Sequence, residues 1–97
     1  MQIEYEQLIG KARYIARPTE PHVELVVTDP FPEVRVAYYT AMSRGVRSRQ
    51  IARKLVRRMV ADAREEGRTI VPLCPFVRAE AIENPDWSDV IRDPSGL

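Results

Sequence analysis

The stretch SRGVRSRQIARKLVRR, Ser43–Arg58, places seven positive charges in sixteen residues without one acid. A run of this kind suits an anion: a nucleic-acid backbone, a membrane surface, the phosphates of a cofactor, or only water around a solvated helix face. The charge is local. Residues 1–41 hold six acids against four bases, residues 62–97 eight acids against four bases, and the formal net charge is +1. A confined anion site fits this distribution, and bulk binding of a polyanion through net charge does not.

Cys74 is the second residue type with chemistry to offer, and the chain's single cysteine. A free thiol has a pKa of about 8.5 and becomes nucleophilic when a cation, a helix N-terminus or a base lowers it. The nearby arginines and a helix beginning near Val77 are available for that, and a buried, inert thiol is the alternative. His22 is the only histidine and is read as a surface residue. One histidine and one cysteine leave no zinc site and no internal disulfide.

The elements that must position these residues follow from periodicity. IEYEQL and KARYIA flank Gly10 and read as paired strands. HVELVVT alternates at Val23, Leu25 and Val27, and EVRVAYYTAM at Val34, Val36, Tyr38, Thr40 and Met42, with DPFPE as a turn between them. The short connections predict antiparallel pairing. The alternation also predicts that Tyr38 and Tyr39 point to opposite faces, so that only one can look into a site.

From Arg49 the period becomes helical. Ile51, Leu55 and Met59, widened by Ala52, Val56 and Val60, predict a helix over 49–66, with Ser48 as N-cap and Gly67 as stop. Arg53, Arg57 and Arg64 fall on its wet side. TIVPLC reads as a buried strand, so strands 36–42 and 69–73 should run parallel in a βαβ unit. Residues 77–83 are helix-like, Asn84-Pro85 ends them, DWSDVI forms a further turn or two, and RDPSGL is frayed. Trp87 should anchor the C-terminal turn, with Asp86 and Asp89 as capping or surface acids. One domain of 97 residues is expected.

On this map the basic stretch leaves a strand at Met42, loops through Ser43–Arg47 and enters a helix at Ser48–Gln50. A first helical turn has unpaired N–H groups and the positive end of the macrodipole. Arg44, Arg47 and Arg49 add charge-assisted contacts. A compact phosphate site fits this placement better than a long nucleic-acid groove.

This strand, R-x-x-G/A-x-G/A loop and long helix resemble the acyl-CoA-binding element of the GNAT superfamily of N-acetyltransferases. The tail VPLCPFVRAEAIENPDWSDVI resembles a small single-domain GNAT-like subfamily with a CPFV box followed by a helix and an (H/N)P-acidic-aromatic-x-D segment. Read backward from Cys74 without gaps, Thr40, Arg47, Ile51, Ala52 and Leu55 fall on the subfamily's threonine, arginine, isoleucine, second small residue and leucine. Ser48 and Gln50 stand where it has glycines, and Tyr39 where it has a histidine.

The resemblance implies a GNAT-like α/β (α+β) fold, a mixed and mostly antiparallel sheet with the 49–66 helix and a C-terminal helix. It implies acetyl-CoA as cofactor, with Arg47, Ser48, Arg49, Gln50, Ile51, Ala52 and Arg53 at the pyrophosphate and Met42 giving backbone to the pantetheine. Cys74 would lie beside the acyl thioester, and Tyr39 could donate a proton to a departing thiolate, since a phenol of pKa about 10 suits that better than the part of a base. A packing role for Tyr39 is the other reading.

Three functions remain in contention. The first is acetyl transfer to an amine. The second is a GNAT scaffold without catalysis, suggested by Ser48, Gln50 and Tyr39. The third is a nucleic-acid module on the basic helix, opposed by the acids of 62–97. No apolar run is long enough to span a membrane, and MQIEYEQLIG lacks the pattern of a signal peptide, so a cytoplasmic protein is expected. Exposed strand edges could support a homodimer.

Overall fold

The computed structural model describes residues 1–92. The expectation of a frayed end at 93–97 lies outside the described residues. The fold is the expected mixed α/β one. Strands β1 (Gln2–Leu8), β2 (Lys11–Arg17), β3 (Val23–Phe31) and β4 (Val34–Met42) form an antiparallel meander. Helix α1 (Val46–Glu66) crosses over to β5 (Thr69–Pro72), which lies parallel to β4, and α2 (Pro75–Glu83) follows. A 3₁₀ turn at Pro85–Trp87 and a bridge from Ile91 to Ile70 close the described chain.

One face of the sheet carries the main core. Tyr14, Leu25, Val27 and Ala37 meet Leu55, Val56, Met59 and Ala63 of α1, all fully buried or nearly so. The stripe recurs every three or four residues, which is why this segment is helical and sits on the sheet. Gly67, at φ 71°, ends α1 in the left-handed region and donates its N–H to the Ala63 carbonyl. Trp87 is buried in the same core. Arg64 holds its turn against α1, through the Asp89 carboxylate at 2.7 Å and the Asp86 carbonyl.

Three local expectations are corrected. The helix starts at Val46 rather than 49, and its N-cap is Gly45, not Ser48, which is buried at 2% exposure in line with Ile51, Ala52 and Leu55. The parallel pairing joins Val34–Ala37, not 36–42, to Thr69–Pro72.

The alternation along β4 also breaks. Val26 faces Tyr39 and Val27 faces Ala37, so Tyr38 is an extra residue in a β-bulge. Thr40 and Met42 therefore share the α1 face with Ala37 through their partners Leu25 and Val23, and Arg35 lies on that face too. Tyr38 and Tyr39 are both exposed, with ring centroids 6.4 Å apart and edge to face, rather than on opposite faces.

Arg35 is the one buried charge of the sheet. Its guanidinium donates to both oxygens of Asp29, at 2.9 and 3.0 Å, and to the Tyr14 hydroxyl at 2.9 Å, while Tyr14 donates to Asp62 at 2.7 Å. Burial opposes the Arg35 charge, but the hydrogen bond to Asp29 and the surrounding oxygens hold it protonated. Burial and the bond to Asp62 push the Tyr14 phenol well above its ordinary range.

Candidate functional site

The site begins where β4 and β5 part. Their ladder stops at Ala37 and Pro72, while β4 runs on to Met42 paired only to β3. The backbone of Tyr38–Met42 thus presents a free edge on the side that β5 vacates. An edge of this kind accepts an extended ligand as an additional strand would be accepted.

Cys74 closes the near end of this opening. Its N–H donates to the Ala37 carbonyl at 2.9 Å, and it caps α2, whose first residue is Pro75. Proline at the start of a helix costs no hydrogen bond, so the CP pair defines where the chain turns from strand to helix. Cys74 is buried in the core, at 2% exposure, and its sulfur lies 3.2 Å from the Thr40 hydroxyl. Thr40 reaches it because the Tyr38 bulge has turned residue 40 toward α1.

The far end of the opening is the start of α1. Met42 is half-buried against the core, and Gly45 takes φ 122° and ψ 166° to lead into the helix. The first intrahelical backbone bond runs from the Arg49 N–H to the Gly45 carbonyl. The amides of Val46, Arg47 and Ser48 therefore precede the ladder and are the donors that an anion can take. Arg47, Arg49, Gln50 and Arg53 are exposed around this end. Ile51 and Ala52 are buried in the core beneath it, with their own N–H groups already inside the helix.

Charge pairing is sparse in this region. Arg13, Arg17, Arg35, Arg64 and Arg68 each form ion pairs, as do Arg53 with Glu80 at 3.3 Å and Arg58 with Asp62 at 3.1 Å. Among the described residues, Arg44, Arg47, Arg49, Lys54 and Arg57 form none. Five of the seven cations of Ser43–Arg58 are thus left without an acid.

The two residues read from sequence as chemical do not come together. Cys74 belongs to the α1-side core, whereas Tyr39, opposite Val26, takes the other face of the sheet beside Tyr38. His22 is exposed, 3.5 Å from Glu24, just before Val23, which pairs with Met42. Thr40 was legible as a strand residue and as the match to the subfamily's threonine, but not as the partner of Cys74. Its contact with Cys74 depends on a bulge that no residue type announces. Arg78 was not legible as a neighbour of the site. It donates to the Leu73 carbonyl at 2.9 Å, and its Nε is buried without a partner among the described residues.

No helix among the described residues is long and apolar enough to cross a membrane. No curated protein matches the chain. Its fold is similar to the NMR solution structure of a GCN5-like protein from Staphylococcus aureus. The TM-score is 0.70 and the identity 19%, over 92% of this chain and 87% of that one. A sequence model of the GCN5-related N-acetyl-transferase family matches residues 2–90. By that match, which takes in all five strands and both helices, the chain belongs to the GCN5-related N-acetyltransferase family.

Proposed function

We propose that the protein binds acetyl-CoA as a single GNAT-like domain of the small CPFV-box subfamily, and moves the acetyl group to an amine. The observation that carries this reading is the parting of β4 and β5 after Ala37. It leaves a free strand edge at Tyr38–Met42 between a thiol and a helix start surrounded by unpaired arginines. A long ligand with an amide-bearing arm and a diphosphate meets all three features at once.

In this reading the backbone near Met42 pairs with the pantetheine arm. The Val46–Ser48 amides and the side chains of Arg47, Arg49, Gln50 and Arg53 surround the pyrophosphate. Ile51 and Ala52 serve by packing, since they seat the first turns of α1 on the core. Gly45 supplies the backbone freedom that the subfamily finds in the glycines replaced here by Ser48 and Gln50. Acetyl-CoA brings an activated thioester, and the residues of this chain hold it and manage protons. Cys74, with Thr40 beside its sulfur, is the candidate to accept the acetyl group, and Tyr39 the candidate to protonate a departing thiolate.

The placement of Tyr39 and Cys74 on opposite faces favours one alternative, a scaffold that binds acetyl-CoA without turnover. Isothermal titration with acetyl-CoA, with CoA as comparison and Arg47→Ala as control, tests the common part. Saturable binding weakened by the substitution supports the cofactor site, and an amine screen then separates the two readings. No binding at millimolar ligand would sink both.

A further inference from the structure

The face of the β4 opening turned away from α1 carries features that a cofactor would leave unused. Tyr38 and Leu73 are the first residues past the last rung of the β4–β5 ladder, which joins Ala37 to Pro72. Both are exposed, as is Tyr39, so three apolar side chains flank the mouth of the opening. The next residue of β4 on this outer face is Ala41, since Thr40 and Met42 pair with the core residues Leu25 and Val23. Ala41 lies directly opposite Glu24 of β3, and Tyr39 opposite Val26. Glu24 is thus the diagonal neighbour of Tyr39, about 7–8 Å away across the face. Only the methyl group of Ala41 stands between it and the free edge.

Glu24 also ends a chain of ion pairs laid across that face. Arg17 bridges Glu4 and Glu6, and Arg13 bridges Glu6 and Glu24, the last contact at 2.6 Å. Three carboxylates therefore share two guanidiniums, and the chain holds one negative charge in excess. Arg13 and His22 both approach Glu24 at Oε2, whereas Oε1 accepts no hydrogen bond among the described residues. The Glu24 side chain is 15% exposed, so its charge is poorly hydrated yet open to a ligand. The end of the chain nearest the opening has carboxylate capacity to spare.

Resting on the acetyl-CoA reading, we propose that this outer face is the acceptor subsite and that it takes an aliphatic diamine. The near nitrogen enters between Tyr38, Tyr39 and Leu73 to reach the thioester. The methylene stem lies over Tyr39 and Ala41, and the far ammonium binds Glu24. The near nitrogen must lose its proton before it can attack a carbonyl carbon, so a fixed carboxylate does not serve it. The far one keeps its charge throughout, and a charge-assisted bond to Glu24 holds it. Aromatic rings at the mouth suit both the apolar stem and a passing cation. The two ends of the opening then differ in charge, with unpaired arginines for phosphate at the start of α1 and a spare carboxylate for the amine on the outer face.

The test is NMR titration of the full chain, saturated with CoA, using cadaverine and pentylamine, which differ only in the far amine. Cadaverine is expected to bind about fivefold more tightly, the range of one partly exposed ion pair, and to shift the Glu24 and Tyr39 resonances. Glu24→Gln keeps the size of the side chain and should bring the two amines level by weakening cadaverine. With acetyl-CoA, the same difference should appear in KM and vanish in the variant. Circular dichroism checks that the variant keeps the fold.

Equal affinities in wild type would overturn the subsite while CoA binding stands, as would a preference for cadaverine that survives Glu24→Gln. Cadaverine bound at Glu24 but never acetylated would overturn its class as the substrate. Failure of CoA itself to bind would overturn the acetyl-CoA reading, and the acceptor subsite with it.

Discussion

The hydroxyl oxygen of Thr40 lies 3.2 Å from the sulfur of Cys74, joining β4 to the N-cap of α2 at the point where β4 and β5 separate. Either atom can donate. If Cys74 acts as a thiolate, the hydroxyl must donate to it, and a hydrogen bond to a charged acceptor contributes about 1.5–3 kcal/mol. Thr40→Val keeps the shape and removes the donor. It is expected to leave acetyl-CoA affinity within about twofold and lower acetyl transfer about tenfold or more. Mass spectrometry of the Cys74 peptide after exposure to acetyl-CoA checks the same point, since the acetylated form should accumulate more slowly in the variant. An unchanged rate assigns the contact to packing alone.

Gly45 precedes α1 at φ 122° and ψ 166°, a backbone region open essentially to glycine. A Cβ placed there meets no atom within 4 Å, so the cost of a side chain is conformational and not steric. Gly45→Ala should destabilise the fold by about 1–3 kcal/mol in urea unfolding. It should also weaken acetyl-CoA, because the amides of Val46–Ser48 are aimed by this turn. Unaltered stability and binding would show that the loop finds another route into the helix.

The contrast between Gly45 and Ser48 explains how far the sequence could be read. The strands, the long helix and the second helix follow from apolar periodicity and from Gly and Pro punctuation, and they stand where that pattern puts them. The helix start was hidden because Ser48 is the better cap by residue type, yet it occupies a core-facing position of the α1 stripe. The bulge was hidden because Val34, Val36, Tyr38, Thr40 and Met42 alternate by type straight through it, while the chain itself slips by one residue at Tyr38. Arg35 stands in sequence between the alternating apolar positions Val34 and Val36. Its partners Asp29, Tyr14, Tyr5 and Glu66 lie on three other strands and the end of α1, so only tertiary structure supplies a reason to bury it. The unpaired state of Arg47, Arg49 and Arg57 is likewise a property of where the acids fall in space, whereas their clustering was visible at once.

The Tyr14 hydroxyl donates to Asp62 and accepts from Arg35, and its pKa is raised chiefly by burial. In the unfolded chain the phenol ionises at a pKa of about 10. The stabilisation is therefore complete below that pH and is lost as pH rises toward the folded value. Wild type should lose stability above about pH 10 more steeply than Tyr14→Phe, as judged by thermal melts across the alkaline range. At neutral pH the same variant should be less stable by about 1–3 kcal/mol, because it leaves buried Arg35 with one partner fewer. Parallel pH curves for the two proteins would show that the phenol is not the titrating group.

Asp89 pairs with Arg64 through two hydrogen bonds of 2.8 and 2.7 Å, and the Arg64 hydrogen bond holds its carboxyl below the ordinary range. A lowered folded pKa stabilises above the unfolded value and is lost as pH falls through the folded one. Both groups are exposed, so the effect on stability should be small and should fade with salt. The sharper reading is by NMR titration. Arg64→Gln should bring the Asp89 carboxyl back up to its usual range and loosen the Trp87 turn. An unmoved titration would assign the depression to another group.

Tyr38 and Tyr39 stand edge to face on the surface of the sheet away from α1, brought together by the bulge. The resemblance, which sets Tyr39 at the subfamily's histidine position, implies a proton donor there, with packing as the other reading. The separation of Tyr39 from Cys74 by the sheet means that it can serve only a leaving group that reaches the outer face of the β4 opening. Tyr39→Phe removes the proton and keeps the ring contact with Tyr38. If the phenol protonates the departing thiolate, turnover should fall by about 10²-fold or more with little change in acetyl-CoA affinity, and Tyr38→Phe should remain near wild type. Equal, small effects in both variants would make the pair an aromatic wall of the opening. Protonation would then fall to solvent, and Cys74 and Thr40 would carry whatever chemistry the site performs.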